Sequence, residues 1–266
     1  MAILSQDGLI AAQATAQGVA IQRTNSRAGI AGQWHTTLDQ NGCPGPGTLA
    51  GTSTSAGVVP TDATTGCPTI NNFTGGNTGY ITAVDFGLNQ AGRLRVCDML
   101  FKAGAYAFNA NTALSAQPSY SGRIPNSDYT GTEIWVEITS NFTNNPVFTV
   151  TYTNEGGTGS RTASLTLGFN PVIGRMFQVP FQAGDRGVQL ITNVQCQVAT
   201  VGNFNVLVLR PLLNLGCPIT NSSGTWGPAE AKLPVVYDSS ALIVQESLNG
   251  TGTNSIFEVF LGVGQG

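Results

Sequence analysis

The stretch "TYTNEGGTGSRTASLTL", Thr151 to Leu167, decides the fold class. Read with the preceding "FTV", it makes two arms of alternating apolar and polar residues around a glycine-rich loop. Phe148, Val150 and Tyr152 share one side of the first arm; Ala163, Leu165 and Leu167 share one side of the second. Thr149, Thr151, Thr153, Thr162, Ser164 and Thr166 fall on the opposite sides. A period of two is the mark of a half-buried antiparallel pair, and threonine suits a pleated outer surface. The seven-residue loop "NEGGTGS" is too long for a tight two-residue turn.

The same period runs outward in both directions. "YITAVDF" from Tyr80, "TEIWVEITS" from Thr132 and "MFQVPF" from Met176 alternate, and "NSIFEVFLGV" from Asn254 sets Ile256, Glu258 and Phe260 on one parity and Phe257, Val259 and Leu261 on the other, as a strand that completes a sheet. "VQLITNVQCQVAT" is the cleanest strand, with Val188, Leu190, Val194, Cys196 and Val198 on one face beside Thr192. "GNFNVLVLRPLL" is apolar on both faces, which requires cover on both sides. In "TEIWVEITS", Ile134, Val136 and Ile138 point one way; Glu133, Trp135 and Glu137 point the other, where the glutamates suggest a solvated face. About eight to ten strands and no βαβ rhythm predict an all-β antiparallel sandwich of jelly-roll type; an immunoglobulin-like strand order is the alternative.

The first part of the chain is different. Residues 1–35 read as an extended N-terminal arm with a short helix over residues 7–16. Residues 36–79, rich in Gly, Pro and Thr, read as a long loop region that is either disordered or held against another surface. A second long loop is expected over 109–131, and the sandwich itself over 80–266.

Only 9% of the 266 residues are charged, against about 25% in ordinary domains. Net charge is −3, with 11 basic residues scattered along the chain. No basic patch invites nucleic acid and no apolar run is long enough to span a bilayer, so neither nucleic-acid nor membrane partners are expected. The N-terminus lacks the charged and apolar regions of a signal peptide, which suggests synthesis in a cytoplasm. The five cysteines lack zinc-like spacing; free thiols are the plain reading and a bridge between loop cysteines the alternative.

Catalytic chemistry finds little support. The one histidine, His35, has Asp39 four residues on but reads as incidental. Glu133 and Glu137 would stand roughly 13 Å apart along a strand, too far for a glycosidase pair. No cofactor, no metal and no enzyme activity are expected. Trp34, Trp135 and Trp226 are the candidates for stacking on a sugar.

Residues 152–212 carry a further signal. "YTNEGGTGSRTASLTL", then "GRMFQVPFQAGDRGVQLITNVQCQVATVGNFNVLVLRPLL", resembles a family of tailed-bacteriophage virion proteins. "RAGIAG" at Arg27, "LRVCDML" around Cys97-Asp98 and "LPVVYDSSAL" from Leu233 also look like that family, in which a Tyr-Asp pair commonly stands at Cys97-Asp98. The resemblance implies a non-enzymatic virion component, made in the host cytoplasm, that decorates or cements the capsid. Its implied partners are the major capsid protein, copies of itself and other virion proteins. Leu9, Ile10, Val19 and Ile21 on the arm, with Trp34 and Trp135, are the expected interface residues. A tail, neck or fibre component is the nearest alternative, and a surface carbohydrate-binding module using Trp135 or Trp226 the other.

Overall fold

The computed structural model describes residues 3, 5–25, 27–74, 78–252 and 254–266. A short helix α1 (Gln6–Ala14) opens the described chain, with the Ser5 hydroxyl accepting from the Gly8 amide at 3.0 Å as its N-cap. Sixteen strands follow among the described residues. They are β1 (Gln17–Asn25), β2 (Trp34–Thr36), β3 (Asn41–Cys43), β4 (Gly79–Leu88), β5 (Gly92–Ala107), β6 (Asn111–Ala113), β7 (Glu133–Thr143) and β8 (Val147–Asn154). Then come β9 (Arg161–Thr166), β10 (Arg175–Val179), β11 (Val188–Gln197), β12 (Val201–Cys217), β13 (Ser222–Trp226), β14 (Val235–Val236), β15 (Leu242–Leu248) and β16 (Ser255–Gln265). A one-turn helix, α2 (Pro228–Ala231), precedes β14.

Strand pairing is antiparallel throughout and gives three sheets. A closed barrel runs β10-β2-β15-β5-β12-β7. A four-stranded sheet, β6-β11-β8-β9, packs on one part of it. A lower sheet, β13-β4-β16-β1-β3 with β14 also on β4, packs on another. The expected all-β, antiparallel, layered fold is the fold observed; the closed barrel between two outer sheets is what the strand pattern alone did not specify.

β5 and β12 explain the arrangement. They pair along almost their whole lengths, with three register shifts. Cys97, Met99, Leu207 and Leu209 point into the barrel, where they meet Trp135, Met176 and Ile243 from three other barrel strands. Residues alternating with these face outward. At one end Phe101, Phe204, Val206 and Val208 pack against Phe148, Val150, Tyr152 and Val194 of the four-stranded sheet. At the other, Leu94, Val96, Leu213 and Leu215 pack against Val19, Ile21, Val84, Val259 and Leu261 of the lower sheet. The bulges make this possible, because each extra residue shifts which side chains face a given layer.

Several sequence expectations change here. Residues 1–35 are not a detached arm. α1 covers part of the lower sheet, and β1 lies inside that sheet between β16 and β3. Val19 and Ile21 therefore belong to the chain's own core. Among the described residues of 36–79, Leu38 and Cys67 are buried against the barrel interior, Ile70 in the core of the lower sheet, and Leu49 is buried as well. Glu137 and Trp135 lie inside the molecule rather than on a solvated face, because barrel closure covers both sides of β7. In β11, bulges after Val188 and Ile191 turn Leu190 outward and Ile191 inward. Val198, at φ +73° in the following turn, also points to solvent. The 147–167 hairpin keeps its expected faces: Phe148, Val150, Tyr152, Ala163 and Leu167 are buried.

Candidate functional site

The sequence motifs come together in space as two clasps. In the first, the Asp185 carboxylate of "QAGDRG" accepts from the Tyr152 hydroxyl at 2.6 Å, Asn154 Nδ2 at 2.8 Å and Arg161 Nε at 2.9 Å. Arg161, chiefly, holds the carboxyl down at about 2, helped by Tyr152 and Asn154 against the opposing effect of burial. Beside it, Glu155 accepts from the backbone amides of Arg186 and Gly187 at 2.9 and 3.1 Å. The glycine-rich hairpin loop is thus fastened to the β10–β11 turn. Gly187 is needed by close approach: a Cβ there would overlap the Tyr129 carbonyl oxygen.

The second clasp surrounds Asp98, which is fully buried. It accepts from Arg210 Nη2 at 3.1 Å, Ser240 Oγ at 2.9 Å and the Ala241 amide at 3.1 Å, and Arg123 Nη1 stands 3.3 Å away. Arg210 also lies over the Tyr237 ring, 5.6 Å from its centroid. "LRVCDML", "LRPLL" and "YDSSA" meet here around one charge. Both clasps hold loops to strands.

His35 is not an incidental loop residue. It lies on β2, fully buried, with Nε2 3.3 Å from Glu246 Oε2. Glu246 Oε2 also accepts from Ser255 Oγ at 2.8 Å. A serine, a carboxylate and a histidine thus adjoin, but the carboxylate sits between the other two, whereas a nucleophilic triad needs the histidine there. All three are at most 1% exposed. Asp39, the expected sequence partner of His35, instead takes a two-point contact from Arg27. Burial, with Arg175 and then Arg27 nearby, pushes the His35 pKa down.

The expected interface residues part company. Ile10 on α1 is 56% exposed and Leu9 half-buried. Val19 and Ile21 are core residues, so they are not surface anchors. Trp34 is half-buried against the barrel interior, and Trp135 is closed inside it, donating from Nε1 to Glu133 at 2.8 Å. Trp226 stands edge-on to Phe86, half-buried. Trp135 therefore offers no open platform for a sugar. The five cysteines are free thiols, and only Cys43 is exposed. Among the described residues no cluster of His, Cys, Asp and Glu suits a metal, and no helix is long and apolar enough to cross a membrane. An open groove of about 530 Å³ crosses the outer face of the lower sheet, lined by Gln22, Thr24, Cys43, Asn221, Ile256 and Glu258.

The surface feature that sequence reading passed over is an uncharged tip. β8, β9 and β11 run between the charged Asp185 clasp at one end and this tip at the other. The tip gathers the β7–β8 turn, the 167–174 loop and the β11–β12 turn. The Phe142 amide donates to the Pro171 carbonyl at 2.9 Å, and the Thr200 amide to that of Thr143 at 3.2 Å. Phe169, Val172 and Ile173 from one loop are 37–40% exposed; Val198 and Val201 from the other turn are 63% and 54% exposed. Residues 138–154, 162–174 and 187–209 contain no Asp, Glu, Lys or Arg. Five large apolar side chains thus stand exposed on one uncharged end. The signal in sequence was "GFNPVIG", an apolar loop where a solvated one is usual.

No family model matches the chain, and no curated protein matches it. Among solved structures, the VP2 subviral particle protein of infectious bursal disease virus is 9% identical, with 94% of this chain and 81% of that chain covered and a TM-score of 0.24. The T13 particle of the same virus gives 9% identity over 94% and 78%, with a TM-score of 0.19. Likeness at this level carries no functional assignment.

Proposed function

We propose that this chain is a structural component of a virion, and more finely a non-enzymatic protein that decorates or cements a tailed-phage capsid through the major capsid protein. The carrying observation is the uncharged tip, where Phe169, Val172, Ile173, Val198 and Val201 stand exposed together. The resemblance in residues 152–212 supports the setting, since those residues build the sandwich whose loops form the tip. Weak apolar contacts repeated over a symmetric shell sum to firm attachment. A surface with few charges keeps like-charge repulsion between neighbouring copies small.

The test is immunogold labelling of virions carrying wild-type chain or the Phe169→Ser/Ile173→Ser variant. Label over the whole head, lost in the variant, is the expected result. Label confined to neck, tail or fibres would replace capsid decoration with the tail reading. Full incorporation of the variant would remove the tip from the attachment surface.

A further inference from the structure

We propose that β9 pairs edge to edge with β9 of a second copy of this chain, fusing two four-stranded sheets into one continuous sheet. This goes beyond the proposed virion role and does not rest on it.

The first reason is how the other sheet edges are blunted. β3 and β6 are three residues each, and β3 runs straight into Pro44. β13 is five residues long with Gly224 at its centre. Short strands, proline and glycine are ordinary defences against strand addition. β9 has none of them. It is six residues, "RTASLT", without Gly or Pro, and pairs with β8 in unbroken register from Arg161 to Thr166. It ends the sheet order, and the backbone groups along its outer side have no partner among the described residues.

The second reason is the seam beneath that edge. Leu165, Phe177 and Phe181 are only partly buried at the margin of the upper core, and Phe169 packs against Phe177 at 5.7 Å while 38% exposed. An added strand would cover this seam while satisfying the open ladder.

The third reason selects a copy of the same chain. Residues opposite each other in an antiparallel ladder point to the same face. A two-fold axis at Ser164 sets Thr162 opposite Thr166, both outward, and Ala163 opposite Leu165, both inward. An axis at Ala163 sets Thr162 opposite Ser164 and Arg161 opposite Leu165. Neither places a like charge opposite another, because Arg161 is the strand's one charge and is already held by Asp185. The outer face adds only hydroxyls near the edge: Thr149, Thr151, Thr162, Ser164 and Thr166. Paired threonines and serines across a ladder are favourable. A charged partner segment would find no complement here, whereas a second β9 does.

The experiment is analytical ultracentrifugation of the full chain over a concentration series, beside Thr162→Lys/Ser164→Lys. In both registers these exposed positions set a lysine opposite a lysine or beside one near the axis. Wild type is expected to sediment as a dimer that dissociates on dilution. The variant is expected to lose the dimer while keeping the wild-type far-ultraviolet circular dichroism. Hydrogen exchange of wild type at high and low concentration gives a second reading that needs no variant: exchange in 161–166 should slow as the dimer forms. A wild-type monomer at every concentration overturns the proposal. So does a folded variant that still dimerises, or β9 amides whose exchange ignores concentration. Slowing of β9 exchange only when another virion protein is added would overturn self-pairing in favour of that partner.

Discussion

Asp98→Ala is the sharpest test of the reading that the motifs are architectural. Asp98 is fully buried, and Arg123 and Arg210 face it with side chains 5% and 12% exposed. Removing the carboxylate strips a partner from both guanidiniums and from Ser240 and the Ala241 amide. Breaking a buried pair from one side costs about 3–5 kcal/mol, because the surviving charge is left uncompensated. At about 2.1 cal/mol/K per residue, a chain of this length unfolds with an entropy of about 0.56 kcal/mol/K, so Tm should fall by about 5–9 °C. Differential scanning calorimetry of Asp98→Ala, Arg210→Met and the double variant measures it. The double variant should lose less than the sum of the singles, since it removes both ends of one contact. A fall under about 2 °C for Asp98→Ala, or strict additivity, would refute the clasp as an energetic unit.

Other outcomes follow from the same geometry. The buried neutral His35 refuses a proton that the unfolded chain accepts below about pH 6.5, so stability should decline as pH falls from there; denaturant melts should show a shallower decline in His35→Asn. Asp185 works in a lower window: its depressed carboxyl stabilises the fold above about pH 4, and that contribution should fade toward pH 2, a step missing from melts of Asp185→Asn. Native thiol titration should modify Cys43 alone, with the other four reacting only after denaturation, since they are buried and burial pushes Cys67, Cys97 and Cys196 up to about 12. Gly187→Ala should cost about 1–3 kcal/mol in urea unfolding, as its methyl group must displace the Tyr129 carbonyl.

Local periodicity carried the 147–167 hairpin and the two-faced burial of β12, because both depend on residues a few positions apart. It failed where the answer lay far along the chain. Barrel closure joins β10 to both β2 and β7, and no local pattern announces that. Glu137 accordingly looked solvated, yet in the closed barrel it accepts from Asn205 Nδ2 at 2.8 Å. In β11 the reading held for Val188, Val194 and Cys196 and failed only between the two bulges, where the first turns Leu190 outward and the second restores the register. Val19 and Ile21 were legible as apolar anchors but not as the chain's own core, because their partners lie in the last strand. The tip escaped notice because its five side chains come from two loops about 25 residues apart, and only folding brings them together.

The placement of β1 has a consequence for how the molecule is made. Gln17 pairs with Val263, and Asn25 with Ser255, so β1 is zipped to a strand far downstream of it in the chain. The lower sheet cannot close until residue 265 has left the ribosome tunnel. Throughout synthesis Val19, Ile21, Val84 and Phe86 wait without their partners Phe257, Val259 and Leu261. Contacts this distant along the chain make folding slow and leave sticky edges exposed meanwhile. A nascent chain stalled just short of β16 should therefore be a chaperone client, and emergence of β16 the event that lets the lower sheet close.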